Sequence, residues 1–483
     1  MAKAIFTPAI GEQLNSCWRR GLKYKGKYGK EYDLKFFTPQ SHFNYDYALQ
    51  SCYYGIHGVG KKAKGTFRDM IGFPKDKTLL TDSAGYQIAS FQRMGKPCDI
   101  KPIDSLRWQE ENGDIGFNLD YPPTLYKAAE YKHFKWSLKK SVENFDFFEK
   151  NRNKGSKISI LNVLHGESII LMDEWYQAVK KFNFDGWAIG MKPPWNSMIQ
   201  ALGFLYLWEK GEFKKPDCKA LHFFGTSGKW VVPTIVYIAS KLPNHIKVSY
   251  DSSSYNIGSI YRTYYLPFDF GPTLSFGNKF KLINPGLKTL PCCCPVCRSI
   301  KDISILNGTD IFAGTLISLH NLYQYVIYND LLNSLITAND GQGEVKEEDI
   351  VNGREKEEWE EHVLADLPAN EEKTEIVESH FRDYLKSINA SELTLVSLDF
   401  IDFAMEYGLK NAIQRFERHL ILQHVEKAVQ VNIFYSFKKQ DIKKVIEEGV
   451  RPTEDINSKE VVVEEEEVKE EKPVTTLEGW GFK

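Results

Sequence analysis

The sequence lacks several features that would each define a class of protein. Its charges nearly cancel, with 62 Lys and Arg against 64 Asp and Glu, so a nucleic-acid partner would need a local basic surface. No apolar run approaches the roughly 18 residues of a membrane span. The first residues, MAKAIFTPAIGEQLNS, lack the apolar segment and cleavage site of a signal peptide. We therefore expect a cytoplasmic protein with no membrane partner.

Nucleotide-binding loops and paired cysteines are also missing. No G-x-G-x-x-G or P-loop follows an apolar run, which leaves a nucleotide cofactor without support. Four of the eight cysteines, Cys17, Cys52, Cys98 and Cys218, are scattered without a pairing rhythm. This usage favours a reducing compartment, in which clustered thiols more often hold a metal than form disulfides.

Short apolar runs alternate with amphipathic stretches from about residue 30 to residue 335. The runs are TLLTDSAGY, IGFNLDYPP, ISILNVLHGE, GWAIGMKPP, ALHFFGTSG and IKVSYDSSSY. Strands that alternate with helices form parallel sheets, and six or more such units over this length favour an α/β fold, a (β/α)8 TIM-type barrel. Reactive groups of such barrels follow the C-terminal ends of strands, where Asp82, Asp120 and Asp251 stand.

The remaining four cysteines stand within six residues, in the stretch PCCCPVCRSI. Cys292, Cys294 and Cys297 form C-x-C-x2-C, a spacing with which a tight turn directs three thiolates at one centre. Structural zinc takes four ligands in a tetrahedron. His320, on a predicted helix that packs back over the turn, is the fourth candidate, and Cys293 points away. The alternative is a buried thiol cluster with an ordinary core histidine. We predict one structural zinc ion per chain.

The chain changes character after residue 335. An acidic stretch poor in core residues is followed by helical periodicity and then by NSKEVVVEEEEVKEEKPVTT, whose composition is typical of disorder. The predicted parts are a barrel core (1–285), a zinc-binding subdomain that closes the barrel (286–335), an acidic linker (336–390), a mostly helical C-terminal region (391–450) and a disordered acidic tail (451–483). The C-terminal region is the candidate interface for a homodimer or a protein partner.

Several motifs in this order resemble the guanine transglycosylases, which exchange guanine for a 7-deazaguanine base in nucleic acid. They are LTDSAGYQ, SYDSSSY, the C-x-C-x2-C turn and the histidine of LHNLY, and the resemblance covers about residues 33–330. The family's fold, a (β/α)8 barrel with a zinc-bearing insertion, agrees with the fold predicted from the strands and cysteines. Its reaction breaks and remakes the C1′–N9 bond with retention, in two displacements at C1′.

The resemblance implies a role for each of the three aspartates. Asp251 matches the nucleophile, Asp82 the general acid/base, and Asp120 the carboxylate that reads the guanine-like edge. The serines and Tyr255 that follow Asp251 are candidate donors that orient it. Apart from the resemblance, an aspartate after a strand is most often a helix cap or turn residue.

The resemblance also adds substrate-binding candidates around the aspartates. They are Ser83, Tyr86, His165, Gly166, Gly186 and Trp187. His165 and Gly166 occupy the positions of a glutamine–glycine pair that contacts the base, and Gly186 and Trp187 are expected to present backbone groups to the ligand. Tyr86 is a candidate for stacking on the base. Plain barrel packing is the alternative for the two aromatic residues.

The sequence departs from the bacterial tRNA enzymes of this family at recognition positions. Ala84 replaces a glycine, His165 a glutamine, and Met191 a glutamate involved in recognising a 7-aminomethyl group. The threonine–arginine segment after the nucleophile is absent, and no C-terminal RNA-binding domain of the archaeal kind is evident. These departures favour the DNA-modifying branch of phages and bacteria, acting with 7-cyano-7-deazaguanine.

The expected partners are therefore DNA and a free 7-deazaguanine base, with tRNA as the alternative polymer. The acceptor guanine would have to leave the base stack. Two basic stretches with interleaved aromatics are candidate contacts, RRGLKYKGKYGKEYDLK and YKHFKWSLKK, for which an ordinary solvated surface is the alternative. A catalytically inactive nucleic-acid-binding relative is a third hypothesis, which the presence of all three aspartates disfavours.

Overall fold

The computed structural model describes residues 2–58, 65–93, 98, 100–123, 131–166, 168–190, 196–226, 228–267, 269–276, 287, 289–308, 311–338 and 381–420. The acidic tail predicted over 451–483 lies outside the described residues, as do Met191 and most of the predicted acidic linker.

Twelve strands occur in the described part of the chain. They are β1 (Ala4–Pro8), β2 (Lys23–Lys25), β3 (Glu31–Asp33), β4 (Tyr47–Ser51), β5 (Thr78–Asp82), β6 (Ile115–Phe117), β7 (Ser159–Leu164), β8 (Gly186–Ile189), β9 (Ala220–Phe223), β10 (Lys247–Ser252), β11 (Thr263–Leu266) and β12 (Asp269–Ser275). All six apolar runs that the sequence predicted as strands form strands, β5 to β10.

Eight of the strands form one parallel sheet that closes on itself. Their order is β1-β10-β9-β8-β7-β6-β5-β4. At the junction of β1 and β4, Ala9 forms a parallel bridge with Leu49, and the Ile10 amide donates to the Leu49 carbonyl at 2.8 Å. The predicted (β/α)8 barrel is thereby confirmed. The two other pairs, β2 with β3 and β11 with β12, are antiparallel.

The described part of the chain also contains α-helices. They are α1 (Glu12–Arg19), α2 (Cys52–Gly58), α3 (Phe67–Ile71), α4 (Gly85–Arg93), α5 (Pro102–Asn112), α6 (Tyr131–Asn151), α7 (Ile169–Val179), α8 (Ser197–Glu209), α9 (Val232–Ser240), α10 (Ser254–Ile260), α11 (Pro295–Ser299), α12 (Ile311–Ala338), α13 (Phe381–Ser387), α14 (Glu392–Tyr407) and α15 (Leu409–Arg415). Ser168 and Asn196 cap α7 and α8 by accepting backbone N–H bonds in the first turn. No described helix has the length and hydropathy that crossing a membrane requires.

The helices at 381–402 belong to the same compact unit as the barrel, which extends from residue 1 to residue 402. They pack against α9: Ser397 Oγ lies 2.9 Å from Thr234 Oγ1, and the Tyr237 hydroxyl donates to Asp402 at 2.5 Å. Asp402 also pairs with Arg382 at 2.8 Å. In the second unit, 403–483, the ring of Phe403 contacts those of Tyr407 and Phe416.

Candidate active site

Three buried or half-buried carboxylates meet at the C-terminal ends of the barrel strands. Asp82 is the last residue of β5, Asp251 lies near the end of β10, and Asp120 follows β6 by three residues. The negative charges of Asp120 and Asp251 both act on Asp82 and raise its pKa. The structure therefore brings the three predicted aspartates into one electrostatic cluster.

Asp82 has the environment of a proton-transfer group. Burial raises its pKa from the ordinary value of 3.8 to about 7, and the charges of Asp120 and Asp251 act in the same direction. The hydroxyl of Ser51 and the amide of Ala84, 3.4 Å from Oδ2, act in the opposite direction. A carboxyl group with a pKa near 7 is present in both protonation forms at neutral pH, which suits a general acid/base.

Asp251 is held differently, by N–H donors. The Gly225 amide donates to its Oδ1 at 2.7 Å, and Nε2 of His222 lies 3.3 Å from the same oxygen. Nδ1 of His222 lies 2.8 Å from Ser249 Oγ. Because a carboxylate oxygen only accepts, Nε2 carries the proton and Nδ1 accepts from the serine hydroxyl. His222 is fully buried, so its orientation is fixed behind Asp251.

Asp120 and His165 form a close pair. Nε2 of His165 lies 2.7 Å from Asp120 Oδ2, and Nδ1 lies 2.8 Å from the carbonyl oxygen of Gly190. The carbonyl only accepts, so Nδ1 carries a proton, and the contact with Asp120 then requires one further proton shared between the imidazole and the carboxyl group. Two residues predicted to contact the base are thus joined to each other.

The turn after β5 fits closely against Asp120. Ala84 has a left-handed backbone (φ +68°), and a Cβ on Gly85 would lie 1.8 Å from the Asp120 carbonyl oxygen. Only glycine allows this approach. The Ser83 hydroxyl donates to the Asn118 carbonyl at 3.2 Å, so Ser83 links the ends of β5 and β6.

Three other predicted residues have distinct surroundings. Tyr86, at the start of α4, is 56% exposed. Gly166 has φ +141°, and a Cβ there would lie 2.5 Å from the Met172 amide, so this residue allows the chain to pass α7 closely. The Tyr255 hydroxyl donates to the Ala9 carbonyl at 2.9 Å. The expectation that Tyr255 orients Asp251 is therefore wrong.

Gly186 and Trp187 lie at the other end of their strand. They begin β8 and pair with the first residues of β9, and a Cβ on Gly186 would lie 2.2 Å from the Ala220 carbonyl oxygen. The Trp187 indole donates to the buried Glu212 at 2.9 Å. This placement corrects the expectation that they present backbone groups beside the aspartates. Gly190, after β8, is the residue of this segment that reaches His165.

A second cluster lies in the segment that follows the barrel strands. One ligand atom from each of Cys292, Cys294, Cys297 and His320 lies within 4.8 Å of all the others. Nδ1 of His320 is 3.4 Å from the sulfur of Cys294 and 3.3 Å from that of Cys297. Nε2 of His320 lies 2.7 Å from the Tyr265 carbonyl, so the proton is on Nε2 and the lone pair of Nδ1 faces the thiols.

The surroundings of this cluster fit a metal ion. Burial raises the pKa of the Cys294 and Cys297 thiols, so their ionised forms need a cation in contact with them. The ring of Tyr264 stacks on His320 with centroids 3.7 Å apart, and its hydroxyl lies 3.2 Å from the Cys297 sulfur. Four protein ligands leave no open position, which is typical of a structural metal.

Sequence similarity links the chain to a known protein. No protein-family model matches the chain. A region of 260 residues is 25% identical to the tRNA-guanine(15) transglycosylase of Methanocaldococcus jannaschii, and it covers 53% of this chain and 36% of that protein. The chain thus spans little more than a third of the length of this relative. The match confirms the resemblance to the guanine transglycosylases and does not distinguish the branches of that family.

Proposed function

We propose that this protein exchanges guanine in DNA for a 7-deazaguanine base, with 7-cyano-7-deazaguanine as the leading candidate, through a covalent aspartyl–nucleotide intermediate. One observation carries the proposal. Two carboxyl groups with opposite environments lie at the same end of the barrel: Asp82, whose pKa is raised to about 7, and Asp251, held by N–H donors. Base exchange needs one group that moves a proton and another that attacks carbon.

In the first step, Asp251 displaces guanine. The N–H groups of Gly225 and His222 both reach Oδ1, which leaves Oδ2 to form the bond to C1′. The C1′–N9 bond breaks, and protonated Asp82 gives its proton to the departing guanine. In the second step, ionised Asp82 takes a proton from the incoming base, whose nitrogen attacks C1′ and releases Asp251. Two inversions retain the configuration at C1′.

Asp120 and His165 supply the recognition of the base. A carboxylate accepts from both the N1–H and the 2-amino group of guanine, a pattern that adenine and pyrimidines lack. Both ring nitrogens of His165 are already engaged, Nδ1 by the Gly190 carbonyl and Nε2 by Asp120, so His165 would hold the carboxyl group in place while Asp120 accepts from the base. This division of roles supports a guanine-like ligand.

The Cys3His cluster supports a structural role for zinc. Zinc bound by Cys292, Cys294, Cys297 and His320 would join the turn at α11 to the long helix α12. All four positions are filled by protein, so the metal would stabilise the fold and take no part in the exchange.

Transfer RNA is the second candidate polymer. The name of the archaeal relative supports it. Histidine at 165 and methionine at 191, in place of glutamine and glutamate, support a different base or polymer from that of the bacterial tRNA enzymes. DNA is therefore the first candidate and tRNA the second.

Labelled guanine tests both candidates. The full chain is incubated with labelled guanine and either duplex DNA or tRNA, with an Asp251→Ala variant of confirmed folding as the matched control. We expect label in DNA with the wild type and none with the variant. Label in tRNA but not in DNA would select the second candidate. Label in neither, with no covalent adduct to either polymer in the presence of 7-cyano-7-deazaguanine, would contradict base exchange.

A further inference from the structure

The two basic stretches singled out in the sequence use their charges differently. On α6 three lysines, two of them in the basic stretch, are paired with carboxylates: Lys135 with Glu174, Lys140 with Glu143 at 2.8 Å, and Lys150 with Asp146 at 2.6 Å. Exposed pairs of this kind neutralise much of the local field. The solvated-surface interpretation therefore fits α6.

The hairpin formed by β2 and β3 retains its positive charge. Lys23, Lys25, Lys27 and Lys30 are all exposed. No carboxylate in the described part of the chain lies within ion-pair distance of them; Lys30 lies over the ring of Tyr32, 5.0 Å from its centroid. Lys23 and Lys25 share one face of β2, since side chains alternate along a strand.

The tip of the hairpin carries an exposed aromatic ring. Tyr28 is fully exposed and has a left-handed backbone with φ +57°, a conformation that costs a non-glycine residue about 1 kcal/mol. A fully exposed ring at such a tip contributes no burial free energy to the fold. It is suited to stacking on a partner with a flat face.

The hairpin is fixed to the turn that carries the zinc ligands. His42 stacks on Tyr32 with ring centroids 4.3 Å apart, and its Nε2 lies 2.9 Å from Ser299 Oγ. Burial, and then the charge of Lys30, lowers the pKa of His42 to about 4, so this ring is neutral at working pH. A Cβ on Gly26 would lie 2.8 Å from the Ser299 carbonyl oxygen, which shows how closely the two segments pack.

The zinc-bearing turn adds two cations beside the hairpin. Arg298 and Lys301 are both exposed, and they flank Ser299 in the chain. We define the basic lobe as this combined surface, consisting of Lys23, Lys25, Lys27, Lys30, Arg298 and Lys301 with Tyr28 at its tip. Glu31 and Asp302 are its exposed acidic neighbours; the four lysines of the hairpin alone outnumber them, so the lobe keeps a positive excess.

We propose that the basic lobe binds the sugar–phosphate backbone of a nucleic acid, with Tyr28 stacking on an unpaired base. Lysines that have no carboxylate partner among the described residues are available to replace the counterions of phosphates, and this exchange provides sequence-independent affinity. Unpaired bases arise where a guanine leaves the stack, and aromatic rings bind them irrespective of sequence. The inference rests on the proposed function for the identity of the polymer.

A matched pair of triple variants tests the lobe. One replaces Lys23, Lys25 and Lys27 by alanine, and the other replaces Lys135, Lys140 and Lys150, so both lose three positive charges. Binding of a duplex DNA and of a tRNA is measured between about 50 and 200 mM salt. For the hairpin variant we expect affinity to fall by roughly 10-fold or more, and the slope of log K against log salt to decrease by about 2 to 3. The α6 variant should stay within about 2-fold of wild type.

Equal losses in the two triple variants, or an unchanged salt slope in the hairpin variant, would overturn the inference. For the tip, Tyr28→Phe should keep the affinity for a single-stranded DNA, whereas Tyr28→Ala should lose roughly 5-fold or more. Equal affinities of these two variants would remove the stacking role.

The outcome is separable from that of the proposed function. If wild-type protein binds nucleic acid through the hairpin lysines but incorporates no guanine, the basic lobe stands and base exchange fails. If guanine is incorporated while the hairpin variant binds like wild type, base exchange stands and the lobe fails.

Discussion

Asp82 lowers the stability of the fold at neutral pH, and this effect is measurable. Its pKa is about 7 in the folded protein against an ordinary 3.8, so the native state binds this proton more tightly than the unfolded chain does. The free energy of unfolding therefore falls as pH rises from about 4 to about 7. We expect Asp82→Asn to be more stable than wild type at pH 8, by at most about 4 kcal/mol at about 1.4 kcal/mol per pH unit. The free energies of unfolding of the two proteins should be nearly equal at pH 4.

Urea unfolding of both proteins at pH 4 and pH 8 measures this difference. If Asp82→Asn raised the free energy of unfolding by the same amount at both pH values, the raised pKa of Asp82 would be contradicted. The same variant has a kinetic signature: the exchange rate should fall by roughly 10²–10⁴. In wild type, kcat/KM for the polymer should decline above pH 7, because departure of guanine needs protonated Asp82, and the variant should lack this decline.

His222 is expected to position the proposed nucleophile. His222→Phe keeps the ring among Phe117 and Phe224 but removes the donor to Asp251, which leaves the Gly225 amide as its remaining donor among the described residues. A hydrogen bond to a charged group contributes about 1.5–3 kcal/mol, so adduct formation should slow by roughly 10- to 100-fold. KM for the polymer should change little. Single-turnover trapping measures the rate.

Two further variants control for this experiment. His222→Gln retains an N–H donor and should recover part of the rate, whereas His245→Phe changes an exposed histidine and should have no effect. Equal rates for the Phe and Gln variants at position 222 would mean that the residue acts through packing alone.

The sequence predicted the acidic residues of the site better than their partners. Asp82, Asp120 and Asp251 follow apolar runs and match motifs, and His165 follows an apolar run at a position where the family has glutamine. His222 lies within the strand β9, and its approach to Asp251 depends on the register that places it opposite Ser249. A single strand does not specify its register with the next. Gly225 contributes a backbone N–H, which leaves no signal in the residue type.

At the scale of elements, the apolar runs predicted six strands. They did not predict which end of a short strand a given residue occupies. β8 has four residues with a glycine at its start and another immediately after its end, Gly186 and Gly190. The resemblance assigned the contact with the ligand to Gly186. The closed sheet uses Gly186 for close packing on β9, whereas Gly190 meets His165.

The cysteine turn allows a matched test at this scale. Cys294→Ser removes a buried ligand, and Cys293→Ser changes a neighbour that is not one of the four. We expect Cys294→Ser to lose stoichiometric zinc and to lower the free energy of unfolding by about 4 kcal/mol or more, because binding of a structural metal is part of folding. Cys293→Ser should keep about one zinc per chain. Elemental analysis and urea unfolding measure both.

If the Cys294→Ser protein bound zinc as wild type does, or if wild-type protein contained none, the structural zinc site would be refuted. Chelation of wild type should reproduce the loss of stability. The exchange activity per folded molecule should be the same in Cys293→Ser as in wild type.

For the whole molecule, local patterns predicted the barrel but not what covers it. The alternation of strands and helices is a property of neighbouring residues, and it was sufficient for the fold class. The docking of residues 381–402 on α9 joins positions more than 160 residues apart, such as Thr234 with Ser397 and Tyr237 with Asp402. Composition placed α13 in the acidic linker and α14 in a separate helical region, because contacts at such separation leave no periodicity in the sequence.

Two truncations distinguish the docked helices from the acidic end of the chain. A chain ending at residue 380 loses Phe381, Leu385 and the buried apolar face of α14, and it exposes the surface of α9 that they cover. Each buried apolar side chain contributes roughly 1.5–3 kcal/mol, so we expect the free energy of unfolding to fall and the shortened chain to aggregate.

A chain ending at residue 450 loses only the segment 451–483, whose glutamates repel phosphate, and should keep the stability and exchange activity of the full chain. Thermal unfolding and guanine incorporation measure both chains. A chain ending at 380 with wild-type stability would show that the docked helices are dispensable, and lost exchange in a stable chain ending at 450 would give the acidic segment a role in substrate binding.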